Sequence, residues 1–156
     1  MTRFIMTIAE SAHLVLQSAS IAKGGEVFVT KMPVVKIADL AEAMIEIVAP
    51  RYGFGPSDIQ IEIVGSRPGE KLYEELMSEE EVRRSLELKD MFVVTPAFKS
   101  VYGQILYVYP DIISQTCEKS YVSANEAPMS KDLIRQYLLD NKVITITEEI
   151  TYGELV

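Results

Sequence analysis

At 156 residues, with 48% hydrophobic and 24% charged side chains, the chain has the make-up of one globular domain able to bury a working core. A formal net charge of −8 argues against nucleic acid or an anionic membrane as a general partner, since either needs a basic surface; a local anion pocket would need only a few arginines. The single cysteine, Cys117, excludes an internal disulfide framework. No basic-then-apolar leader opens the sequence, and no apolar run nears the roughly 20 residues that a membrane helix needs. The expectation is a soluble, cytoplasmic protein.

Thr7-Ile8-Ala9-Glu10 has the form of a capping box. The helix behind it places Ile8, Ala12, Val15, Leu16 and Ala19 on one face and stops at Gly24-Gly25. A short strand is predicted at 26–31. Ile37, Leu40, Ala41, Met44, Ile45 and Val48 mark a second amphipathic helix, closed by Pro50. A loop with Gly53, Gly55 and Pro56 leads to Ile59-Gln60-Ile61-Glu62-Ile63-Val64, whose alternation predicts a half-buried strand.

After that strand comes a turn with Gly65, Pro68 and Gly69, then Leu72, Leu76 and Met77 at helical spacing. The turn would hold the Arg67 guanidinium at a helix N-terminus, a fork of donors suited to a phosphate or a carboxylate. The plain alternative is a solvated turn arginine. Ser78-Glu79-Glu80-Glu81 is a second capping box opening a short charged helix near 79–85; its carboxylates suit the helix dipole and read as structural. Strands are predicted at 91–95 and 104–109, and a helix capped by Ser130 runs to near Asn141. From Val143 to Val156, threonines interleave with isoleucines and carboxylates, consistent with a strand, a hairpin arm or a flexible tail. The division expected is a domain over 1–142 and an arm over 143–156.

The stretch Arg67-Pro68-Gly69-Glu70-Lys71-Leu72 resembles a segment near the C-terminal end of nucleotide-sugar epimerases and dehydratases of the extended short-chain dehydrogenase/reductase superfamily. The nearest branch serves polysaccharide biosynthesis and includes UDP-N-acetylglucosamine 4,6-dehydratases. Three other stretches agree in order: Met1 to Thr7, Gly24 to Val29 followed by Val35 to Ala41, and Tyr121 to Asn125 leading into Leu133 to Leu138. Together they span most of residues 1–142. The resemblance implies an α+β fold of helices packed on short strands, the C-terminal portion of that fold without its complete Rossmann sheet.

The superfamily works on NAD(P), held by a glycine-rich turn after the first strand. No Gly-x-Gly-x-x-Gly turn occurs here, and Gly53-Phe54-Gly55 is followed by Pro56 and Asp58. The superfamily's base is a tyrosine with a lysine four residues on; none of the eight tyrosines has lysine at that offset. No acid or nucleophile stands in a motif-level relation to His13, Cys117 suits a small buried apolar role, and no cluster has metal-ligand spacing. The chain is therefore not expected to bind a cofactor or to turn over substrate alone.

The resemblance implies two substrate-binding residues, Arg67 and Arg3, reaching the diphosphate of a UDP-sugar, with NAD(P) on a separate partner chain. The alternatives are a non-catalytic binding or assembly module and a truncated gene product. A homo-oligomer is also expected, because the strand at 26–31, without a neighbouring sheet, or the isoleucine-rich stretch at 143–150 would offer an open edge.

Overall fold

The computed structural model describes residues 1–98 and 105–144, and they form an α+β arrangement of small antiparallel sheets flanked by helices. Strand β1 (Thr2–Phe4) pairs antiparallel with β3 (Val34–Lys36), Arg3 lying opposite Val35. Between them come α1 (Ile8–Ile21) and β2 (Val27–Thr30). The Thr7 hydroxyl accepts from the Glu10 N–H at 3.1 Å while the Glu10 carboxylate accepts from the Thr7 N–H at 2.6 Å, the reciprocal cap expected of this sequence. Helix α2 follows β3 directly (Ile37–Val48) and runs into a 3-10 turn over Ala49–Tyr52, closed by Gly53 at φ +78°.

Strand β4 (Glu75–Met77) leads to a four-residue helix α3 (Glu79–Val82) and the hairpin β5 (Ser85–Leu88) and β6 (Met91–Val94). Strand β7 (Ile112–Ser114), β8 (Tyr121–Val122) and α4 (Lys131–Asp140) complete the described chain. The largest sheet runs β2-β6-β5-β7, antiparallel throughout, and β4 pairs with β8.

Three apolar clusters hold these pieces. Phe4, Val29, Val34, Met77, Val94 and Tyr121 join all three sheets, with the Phe4 and Tyr121 rings 4.5 Å apart. Leu86, Leu88, Met91, Val93 and Tyr109 gather under the large sheet, with Leu14 and Ile21 of α1 against them. Val35, Ala43, Ile134 and Leu138 pin α2 to α4. Lys131 meets Glu42 at 2.6 Å and Arg135 meets Glu46 at 3.3 Å; the constant offset means that the two helices run side by side in one direction.

Several predicted elements differ. Residues 59–64 form no strand: Ile59, Ile61 and Ile63 are exposed (40%, 46% and 91%). A strand needs a neighbour for its N–H and C=O groups, and no described segment pairs with this one. The helix expected from Leu72 is instead extended, ending in β4, because Met77 is wholly buried opposite Tyr121 and tertiary pairing outweighs local spacing. Residues 105–109 carry no strand either. Tyr107 donates to the Gly24 carbonyl (2.9 Å) and Tyr109 to the Glu26 carboxylate (3.1 Å), so both are anchored through their hydroxyls.

The strand at 26–31 is present over 27–30 but is paired with β6 on one side, leaving only its other edge open among the described residues. Of the arm at 143–156, Val143 and Ile144 turn back to the Leu138 carbonyl; residues 145–156 lie outside the described residues.

Candidate functional site

The turn bearing Arg67 is built by its own residues. Gly65 and Gly69 take φ +77° and +84°, a region side chains rarely adopt. The Glu70 carboxylate accepts from the Arg67 N–H at 3.0 Å, and the Glu70 N–H donates to the Arg67 carbonyl at 3.0 Å. Pro68 stiffens the link between them. With its backbone closed on Glu70, Arg67 projects a guanidinium into solvent that has no hydrogen-bond or ion-pair partner among the described residues. The helix expected behind it is absent, so the site has no helix N-terminus; the cations carry its attraction for an anion.

Arg3 stands at the foot of this turn. Strand β1 passes beside residues 71–74: the Thr2 N–H donates to the Leu72 carbonyl (3.0 Å), and the Phe4 N–H donates to the Glu74 carboxylate (3.2 Å). The Arg3 guanidinium donates to the Lys71 carbonyl at 2.7 Å and the Thr2 carbonyl at 2.8 Å, with Glu74 3.6 Å from Nε. Arg3 thus braces the segment that leaves Arg67, with part of its five-donor fork already used.

Beneath lies Ser123, fully buried, whose hydroxyl accepts from the Glu74 N–H (2.9 Å) and lies 2.9 Å from the Thr2 hydroxyl. Its N–H donates to the Glu74 carbonyl at 2.8 Å. Three remote stretches meet at this serine. Sequence reading passed over Ser123 and Glu74, whose importance comes from contacts far apart in the chain; Lys71, an exposed second cation in the Arg67 turn, was visible as a motif residue without a role.

Elsewhere the chemistry is sparse. His13 is exposed on α1 and borders a cleft of about 500 Å³ with Glu10, Lys31 and Asp90. Glu10 is engaged there: the Thr7 N–H holds its carboxyl below the ordinary range, and the Tyr137 hydroxyl donates to it at 2.7 Å. Burial and this carboxylate push the Tyr137 phenol up to about 12. Cys117 lines a second cleft of about 470 Å³, and burial first, then Glu87, pushes its thiol up, away from the reactive thiolate. Among the described residues no group of three or more His, Cys, Asp or Glu could hold a metal, and no helix is long and apolar enough to cross a membrane.

Comparison with known proteins adds an independent line. Residues 1–96 match the family described as polysaccharide biosynthesis protein. The chain is 60% identical over 96 residues to an uncharacterized membrane protein of Methanocaldococcus jannaschii, covering 62% of this chain and 29% of that one. It is 33% identical over 101 residues to the inverting UDP-N-acetylglucosamine 4,6-dehydratase of Campylobacter jejuni, covering 65% of this chain and 27% of the enzyme. The solved structure of Pen from Bacillus thuringiensis superposes with a TM-score of 0.78 at 37% identity, over 93% of this chain and 40% of Pen. The chain therefore spans well under half of each relative.

Proposed function

This chain belongs to the family of polysaccharide biosynthesis proteins, and on that premise we propose that it is the UDP-sugar-binding portion of a nucleotide-sugar epimerase or 4,6-dehydratase. In this reading it lacks the complete Rossmann sheet, and a separate chain brings NAD(P), which supplies the hydride chemistry, together with the catalytic base. The observation that carries the reading is the Arg67 turn: a guanidinium held out by a self-closed loop, unpartnered among the described residues and next to exposed Lys71.

A guanidinium remains charged at any working pH and matches two phosphate oxygens at once, which suits the diphosphate of UDP. Arg3 sets the direction of the turn through the Lys71 carbonyl and offers its remaining N–H groups to the same ligand. Glu70 occupies its carboxylate with the Arg67 backbone N–H, holding the loop closed while the cations face outward. The similarity to a protein described as a UDP-N-acetylglucosamine 4,6-dehydratase supports the choice of a UDP-sugar as ligand class.

The test is calorimetric titration of UDP, UMP and uridine into the purified chain and into Arg67→Ala. UDP is expected to bind most tightly, and Arg67→Ala is expected to lose about 1.5–3 kcal/mol, the range for a hydrogen bond to a charged group. Equal affinity of the two proteins for UDP would return Arg67 to the class of solvated turn arginines.

A further inference from the structure

The Arg3 guanidinium is held by groups on two stretches of chain, and one buried hydroxyl joins the two. Nη1 donates to the Thr2 carbonyl at 2.8 Å and Nη2 to the Lys71 carbonyl at 2.7 Å, with Glu74 3.6 Å from Nε. Ser123 lies 121 positions along the chain from Thr2 and is wholly buried. Its hydroxyl shares a 2.9 Å hydrogen bond with the Thr2 hydroxyl, accepts from the Glu74 N–H at 2.9 Å and stands 3.4 Å from the Thr2 carbonyl.

The exit of the Arg67 turn is pinned in this region at three successive places. The Lys71 carbonyl accepts from Arg3, the Leu72 carbonyl accepts from the Thr2 N–H, and the Glu74 N–H donates to Ser123. The outer part of the turn closes on itself, through Arg67 and Glu70. Where Arg67 stands relative to Arg3 is therefore decided at the exit.

We propose that Ser123 is a positioning residue for the diphosphate. From beneath the site, without touching the ligand, it fixes β1 against residues 71–74 so that both guanidinium groups meet one ligand. The inference rests on the UDP-sugar reading of this site and adds to it a dependence on a segment distant in sequence from both arginines. A guanidinium matches phosphate oxygens through paired N–H groups, and that match survives only small errors in placement. Removing the Ser123 hydroxyl leaves the Glu74 N–H and the Thr2 hydroxyl without that partner, and their relief is a shift of β1 against the turn. Affinity for a diphosphate then falls although both arginines are still present.

A double-mutant cycle tests this, read by calorimetric titration of UDP into the parent, Ser123→Ala, Arg3→Ala and the double variant. Ser123→Ala is expected to weaken UDP binding about tenfold. In the Arg3→Ala background the same substitution should change the affinity little, because residues that act through one another are not additive. A serine that only stabilised the fold would give no such coupling. Thr2→Val removes the other hydroxyl of the pair at a half-buried position and keeps the branched shape, so it should weaken UDP in the same way even if Ser123→Ala is too unstable to titrate. A parent that binds no UDP would overturn the reading of the site and this inference with it. A parent that binds UDP through Arg67, with unchanged affinity in Ser123→Ala and Thr2→Val or with full additivity in the cycle, would overturn the inference alone.

Discussion

Ser123 shows how much of the site's geometry depends on single atoms. Its hydroxyl receives the Glu74 N–H and meets the Thr2 hydroxyl in a place without solvent, so Ser123→Ala leaves those groups short of a partner. The expected cost is about 1–3 kcal/mol, read as a lower midpoint in urea unfolding; an unchanged midpoint would mean that water or a shifted backbone replaces the serine. Two carboxylates predict the acid response. Glu81 is held below its ordinary range by the Ser78 N–H first and the Ser78 hydroxyl next, and Glu10 by the Thr7 N–H. A lowered folded pKa means that the unfolded chain takes up the proton first as pH falls. Their stabilisation is thus present at neutral pH and is lost as pH drops through and below about 4. The double variant Glu10→Gln/Glu81→Gln should melt earlier at pH 7 and show a shallower loss in acid; a parallel acid slope would count against these groups. At this scale the sequence displayed Arg67 and both capping boxes, since their partners lie within three residues. It hid Ser123, whose partners are Thr2 and Glu74.

Among the elements, those with strong local signals formed where expected. Helix α2 runs over Ile37–Val48 as its periodicity requires, and α1 and α4 start at Thr7 and Ser130, each of which caps with its hydroxyl. Thr7→Ala should remove that cap and cost about 1 kcal/mol, seen as an earlier thermal transition; no shift would show that α1 is held by its packing alone. The misread elements are the short strands. Strand β1 has three residues and β8 two, too few to display alternation, and both exist because partners distant in sequence receive them. The reverse error at 59–64 has the same origin: the alternation is there, and the paired neighbour is not. Local pattern states what a segment can become, and pairing decides whether it does.

For the molecule as a whole, the described part gathers its buried side chains in apolar clusters yet leaves the α1 face of Ile8, Val15 and Leu16 and the isoleucines at 59–64 in solvent, while spanning 40% of the length of Pen. The sequence made the family and the α+β class legible through ordered motifs, because those motifs are contiguous; which surfaces stay open is a property of the packed chain and could not be read from them. The proposed function is a division of labour, with the sugar nucleotide bound here and the cofactor elsewhere. Parallel calorimetric titrations of UDP and of NAD⁺ into the same preparation of the chain test it most directly. Saturable UDP binding and no NAD⁺ binding are expected. NAD⁺ binding in the micromolar range, or no binding of UDP, would contradict it.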